Sequence, residues 1–339
     1  MSNARNRHGR EVDRRLADAI RAVLPPAANA KVPNDLSADL VVNGVSLDVR
    51  WAGEGWLGQV RPFLRRGRRR PDVVVARRMS PGAREALSKA GIGWVDETGA
   101  AEIAIGSIVV SRTGRPERPV QKQPGWTPAG LAVAEALLCG TRATVDSVQQ
   151  ATGLSTGSCT NALRVLTDLG LLSAETKRGR ESARSVADAD KLLDAYASAA
   201  AAFPPKARLE VGVTWRDVLD GLGETGRKWD RAGVGWAATG AAASLVTAPY
   251  LASSETAVVY VDAATPAGLW AVAESAGLRP IDGGRLTLLP FPTVTARALA
   301  EEVDGLRVAP WPRVYADLRT TGVRGEEAAE HLREVVRGR

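Results

Sequence analysis

At 339 residues, with 45% hydrophobic and 24% charged side chains, the chain has room for two or three folded domains and is not a disordered polymer. Two cysteines (Cys139, Cys159) and two histidines (His8, His331) exclude a zinc cluster of familiar spacing and a disulfide framework, and no run approaches the ~18 apolar residues of a membrane helix. Lys and Arg number 45 against 38 Asp and Glu, a formal charge of +7, and the polar start Met1–His8 lacks a secretory core, so a cytoplasmic protein without metal, cofactor or membrane partner is expected.

The excess charge is local. Residues 1–118 hold 21 Lys/Arg against 13 Asp/Glu, residues 119–190 hold seven of each, and residues 191–339 hold 17 against 18. Eight arginines (61, 65, 66, 68, 69, 70, 77, 78) surround Asp72, and Arg65, Arg66, Arg68, Arg69 and Arg70 form its densest part. Such a block is either a solvated face or a patch that gains affinity for polyanions by releasing counterions. Trp51, Trp56 and Phe63 lie beside it in sequence, where aromatic rings could stack single-stranded bases.

In chain order, the spacing predicts a helix over Glu11–Leu24 that stops at Pro25-Pro26. Leu40–Val49 reads as two strands joined at Asn43-Gly44, and Asp72–Ala76 as a buried strand. Ser80-Pro81 starts a helix that Gly91 ends, and Ile92–Val95 and Glu102–Ile105 are two more strands. This is a mixed α/β domain over 1–112. Ser111–Gly125, with three prolines and little apolar content, reads as a linker, taken as 113–125 between domains.

The segment 126–198 carries the clearest pattern. Thr127 caps an amphipathic helix to Leu138, Thr144 caps a short helix over Val145–Ala151, and Gly153 opens the turn to a third helix over Ser158–Leu169. Cys159, Ala162, Leu163, Leu166 and Leu169 form its inward stripe, and Asn161, Arg164 and Asp168 the opposite one. Leu171–Ser173 and Ser185–Ala187 flank a basic loop like two strands of a hairpin, which makes a winged helix-turn-helix. In such a module Ser155, Thr156 and Ser158 would meet phosphates at the positive end of the third helix. Thr160, Asn161 and Arg164 would face base edges in double-stranded DNA, where Asn suits adenine and Arg suits guanine. Lys177, Arg178, Arg180 and Arg184 would place the wing on the flanking backbone or in the minor groove, with Glu135, Asp146, Asp188 and Asp190 expected on other faces. The alternative is a winged helix used only to dimerise or to dock a protein, since its net charge is zero.

A second seam, Ala199–Pro205, precedes a C-terminal α/β domain over 206–339 that contains Trp236–Ala243, Ala248–Tyr250, Pro312–Leu318 and Arg324–Glu330. In this order the chain resembles the AbiEi-type antitoxins of type IV toxin–antitoxin systems and their stand-alone regulator relatives, and Val74–Gly99 resembles the extension of longer members. The resemblance covers most of the chain from about residue 70. It implies a transcriptional autorepressor reading promoter DNA through Thr156–Arg164, with a C-terminal domain that antagonises a nucleotidyltransferase toxin without necessarily touching it. It implies no catalytic residue, and leaves a homodimer open.

Two enzymatic patterns compete with that expectation. The N-terminal domain is restriction-endonuclease-like, and Asp48-Val-Arg50, with Asp35, Asp39 or Asp72 as a second acid, approximates its metal-binding pattern. Arg at the lysine position suits water activation poorly. Thr239-Gly240-Ala241 followed by Val258–Asp262 approximates a polymerase-type nucleotidyltransferase site, but Tyr260 stands where a second acid is needed. Ala237–Val246 reads instead as a tightly packed helix, Cys159 as core, and His331 as a surface residue of the last helix. The sequence therefore leads to a non-enzymatic DNA-binding regulator, with a nucleic-acid-binding or cleaving module of DNA defence or repair as the alternative.

Overall fold

The computed structural model describes residues 15–33, 39–65, 70–106, 108–114, 125–174 and 184–338. The chain divides into two units, Met1–Arg118 and Pro119–Arg339. Both mix helices with strands, and the described residues form four sheets.

In the first unit, helix α1 covers residues 15–23 and stops before Pro25 and Pro26; Glu11–Arg14 of the expected helix lie outside the described residues. Strands β1 (Ala30–Lys31), β2 (Leu40–Val42) and β3 (Val45–Leu47) form an antiparallel sheet. Its hairpin turns at Asn43 (φ 48°) and Gly44 (φ 84°), the two left-handed residues of a primed turn. A second sheet has the order β4 (Val49–Trp51), β5 (Val73–Ala76), β6 (Gly93–Asp96), β7 (Ala100–Ile105) and β8 (Ile108–Thr113). The first three strands are parallel and the last two antiparallel. Helices α2 (Leu57–Leu64) and α3 (Pro81–Lys89) make the crossovers between the parallel strands, and Ser80 caps α3 by accepting from the Ala83 N–H.

Strand β5 explains the layering. Val73 and Val75 join Leu16 and Ile20 of α1 and Leu40, Val42 and Leu47 of the hairpin, whereas Val74 and Ala76 join Leu57, Val60, Ala83 and Leu87 of α2 and α3. Alternate residues face opposite sides of a sheet, so four consecutive apolar residues require cover on both. The arginine-rich stretch begins inside α2, a helix with Pro62 in it that the sequence pattern does not reveal. Strand β8 takes Ser111–Thr113 away from the expected linker; residues 115–124 lie outside the described residues.

The second unit begins with α4 (Pro128–Leu138), α5 (Val145–Thr152) and α6 (Thr156–Asp168), then the antiparallel pair β9 (Leu172–Ala174) and β10 (Arg184–Val186), and α7 (Ala189–Ala201). It continues with β11 (Leu209–Gly212), α8 (Val218–Arg231), β12 (Trp236–Thr239), α9 (Gly240–Thr247), β13 (Ala257–Val261), α10 (Pro266–Ser275), β14 (Arg279–Pro280) and β15 (Leu286–Pro290). The unit closes with α11 (Val294–Ala298), β16 (Glu301–Val303), β17 (Leu306–Val308), α12 (Trp311–Leu318) and α13 (Val323–Arg337). The sheet order is β14-β11-β15-β13-β12-β17-β16, with β13–β15 and β12–β17 parallel.

Three expectations change here. One apolar core runs from Trp126 through Leu163, Tyr196, Trp229 and Val259 to Leu332, so the segments 126–198 and 206–339 share a core; Ala199–Ala201 are the end of α7, and only Ala202–Pro205 turn away from it. Helix α4 is correspondingly not amphipathic: Gly130–Leu137 are all buried, because α6 and α7 cover one side and α11 and α12 another. The run Ala237–Val246 is also split, with Ala237–Thr239 in β12 and the helix starting at Gly240, whose φ of 59° turns the chain.

Close approach of α8 to β12 depends on Gly226, where a Cβ would overlap the indole of Trp236. Trp236 is buried, with its ring 5.9 Å from Trp229. Gly226→Ala is expected to cost about 1–2 kcal/mol net, the overlap exceeding the gain of Ala in a helix. The check is a lower denaturant midpoint at unchanged slope; a midpoint that rises would mean the ring moves aside freely.

Candidate nucleic-acid interface

Local signals place α6. Thr144 caps α5 by accepting from the Ser147 N–H, and Gly153 ends it at φ 68°, a left-handed value. Ser155 then caps α6, its hydroxyl accepting from the Ser158 N–H at 3.3 Å. The helix therefore starts at Thr156, two residues before the expected Ser158, because the Ser155 cap satisfies a first-turn donor.

Cys159, Ala162, Leu163 and Leu166 are buried in the core, whereas Leu169 is 40% exposed and does not extend the inward stripe. The opposite face carries Thr156, Thr160, Asn161, Arg164 and Asp168, all exposed. Arg164 donates to Asp168 Oδ2 at 2.7 Å and to Asn161 Oδ1 at 2.8 Å. The hydroxyls are more engaged than the sequence suggests. Ser155 donates to Ser158 Oγ at 3.0 Å, Thr156 to Gln149 Oε1 at 3.0 Å, and Thr160 to the Thr156 carbonyl at 2.8 Å. Ser158 is half-buried. Their lone pairs remain, but their protons are held within α6 and by Gln149 of α5.

Arg184 is half-buried in β10 and bridges Ala143 as well as β9. Lys177, Arg178 and Arg180 lie outside the described residues, as do Arg66, Arg68 and Arg69 of the arginine block. Arg65 and Arg70 are exposed, Arg70 donating to the Ala90 carbonyl at 3.3 Å. The rings beside the block are not free platforms: Trp51 lies under the Arg15 guanidinium at 4.8 Å, and Phe63 packs on the core beneath α2.

The acids of the nuclease-type pattern do converge. Arg50 reaches Asp48 Oδ1 at 2.9 Å and Asp39 Oδ2 at 3.2 Å. Asp39 also accepts from the Val49 N–H at 2.8 Å, and Asp72 from the Asp48 N–H at 2.7 Å. Arg50 thus pairs with two of these acids and a backbone amide donates to each of Asp39 and Asp72, and Asp35 lies outside the described residues. Among the described residues no group of three or more His, Cys, Asp or Glu is arranged to hold a metal ion. No helix among them is long and apolar enough to cross a membrane.

At the polymerase-type pattern, Asp262 is paired with Arg297 at 2.6 and 2.7 Å. Tyr260 donates at 2.7 Å and Thr239 at 2.5 Å to Asp317 on α12, an acid that sequence spacing does not connect to them. Asp317 is also paired with Arg313. Glu135, expected on another face of the segment, is not on a surface at all: it is fully buried in α4, accepting from Tyr196 at 3.0 Å and Thr293 at 2.5 Å. Burial pushes its carboxyl up to about 7, against the lowering effects of Thr293, Arg313 and Tyr196. His331, half-buried on α13, has its ring 5.4 Å from Tyr250.

Compared with known protein families, curated proteins and solved structures, the chain matches none.

Proposed function

We propose that α4, α5, α6 and the β9–β10 pair act as a winged helix-turn-helix, that α6 enters the major groove of duplex DNA, and that the protein is a transcriptional regulator of the AbiEi antitoxin type. The observation that carries the proposal is the exposed row Thr156, Thr160, Asn161 and Arg164 on a helix whose other side is locked in the core. A helix so held presents its polar face as a rigid surface, which suits base reading. The antitoxin assignment rests on the resemblance, whose Pro312–Leu318 and Arg324–Glu330 segments lie in α12 and α13 beside the same core. The first unit fits a non-catalytic, nuclease-like scaffold, because Arg50 pairs with the acids such a site needs.

The test is binding to duplex from the gene's own upstream region, compared with a random duplex of equal length. Arg164→Ala is expected to weaken upstream binding roughly ten- to hundredfold, the scale of one bidentate base contact, and random-duplex binding far less. Equal binding to both duplexes that depends on Arg65 and Arg70 instead would favour the polyanion-binding module. Metal-dependent cutting of either duplex would overturn the regulator reading.

A further inference from the structure

The two charged side chains of α6 are Arg164 and Asp168, so the helix that would face DNA carries no net charge. Both guanidinium nitrogens that Arg164 would use on guanine are engaged, one by Asp168 Oδ2 and the other by Asn161 Oδ1. Helix stability does not account for Asp168. It sits in the last turn, where the helix dipole disfavours an anion, and an acid following its base at i,i+4 is the weaker order for such a pair. Both members are about 60% exposed, 60% for Arg164 and 62% for Asp168, so no buried charge needs neutralising.

We infer that Asp168 is a specificity-determining residue: it clamps Arg164 and keeps it off phosphates until a cognate base edge displaces it. The inference rests on the DNA-binding reading of α6. An exposed pair of this kind shifts an equilibrium by only about twofold, whereas a bidentate base contact discriminates by roughly ten- to hundredfold. A correctly placed guanine therefore opens the clamp at little loss. A phosphate can also take both guanidinium nitrogens, but it would do so beside the Asp168 carboxylate, whose charge repels it.

The experiment measures binding of wild type, Asp168→Asn, Arg164→Ala and the double variant to the upstream duplex and the random duplex over a range of salt. Asp168→Asn is expected to tighten random-duplex binding by about three- to tenfold, about twofold from release of the pair and the rest from the lost repulsion between carboxylate and phosphate, and to steepen its log–log salt dependence by about one, the signature of one new phosphate contact. Upstream binding should change by no more than about twofold, so discrimination falls. The gain should vanish in the Arg164→Ala background, and Asp168→Glu, which keeps the charge, should keep the discrimination. An unchanged random-duplex affinity and salt slope in Asp168→Asn, or a gain that persists without Arg164, overturns the clamp while leaving the DNA-binding reading intact. If wild type and Arg164→Ala bind both duplexes alike, the DNA-binding reading fails and the clamp falls with it.

Discussion

Asp194→Ala is expected to destabilise the second unit by about 3–5 kcal/mol, the scale of an uncompensated buried charge. Asp194 projects from α7 between α12 and α13, where it accepts from Arg319 at 3.0 Å and Tyr315 at 3.2 Å and pairs with Arg333. Arg319 and Arg333 expose only 4% and 9% of their side chains, so water does not replace a missing carboxylate. Glu330 stays close to Arg333 at 3.6 Å and to the Tyr315 hydroxyl at 3.1 Å, which leaves two cations around one acid. Against a typical domain stability of about 5–15 kcal/mol, a loss of this size is decisive. Calorimetry should find the transition of the second unit lowered markedly in Asp194→Ala and less in Asp194→Asn, which keeps the acceptor oxygen. A loss below about 1 kcal/mol would mean that solvent or another acid reaches the two guanidinium groups.

The second large effect concerns Glu135 and reads out through pH. Its carboxyl titrates near 7 in the folded protein and near its ordinary value of 4.5 when unfolded. The folded state therefore binds the proton more tightly. Its contribution to stability is fully present below about pH 4.5 and is lost as pH rises through about 7, a difference of about 3 kcal/mol. Glu135→Gln keeps the shape and a polar partner for Tyr196 and Thr293 without the charge. The variant is expected to match wild type near pH 4.5 and to exceed its stability by up to about 3 kcal/mol at pH 8. Urea unfolding of both proteins across that range checks it, because titrations elsewhere cancel in the difference. A difference that stays flat, or one that grows toward acid, would contradict it.

Two polar clusters meet on α12. Arg313 and Asp317 turn toward Tyr260 and Thr239 of the sheet, and Tyr315 and Arg319 turn toward α7 and α13. Residues four apart share a helix face and residues two apart do not, so one eight-residue helix serves two polar clusters. Through Glu135–Tyr196 and Glu135–Thr293, together with the Thr295 hydroxyl donating to the Ala132 carbonyl at 2.8 Å, helix α4 is tied to α7 and α11. The helix that backs α6 is thus part of the C-terminal core, and the proposed DNA-reading face is rigid relative to it.

What the linear chain determined by itself is everything set within about four residues. The Asn43-Gly44 turn, the caps at Ser80, Thr127 and Thr144, the glycine stops at Gly91 and Gly153, and the inward stripe Cys159–Leu166 are of this kind. Each depends on local dihedral preference, on a side chain satisfying a neighbouring backbone donor, or on a 3.6-residue period, and all of these are written in adjacent letters. Tertiary structure alone decided which polar residues go inside. Glu135 and Asp146 are both acids on short helices of one segment, yet one is buried and the other exposed, because α11 and α12 close over α4 and not over the Asp146 face. Asp194 finds Arg319 and Arg333 more than a hundred residues away, and Asp317 finds Tyr260 across the sheet. Pairings at such separations leave no periodicity to read, since their energy depends on desolvation that exists only once the layers have packed.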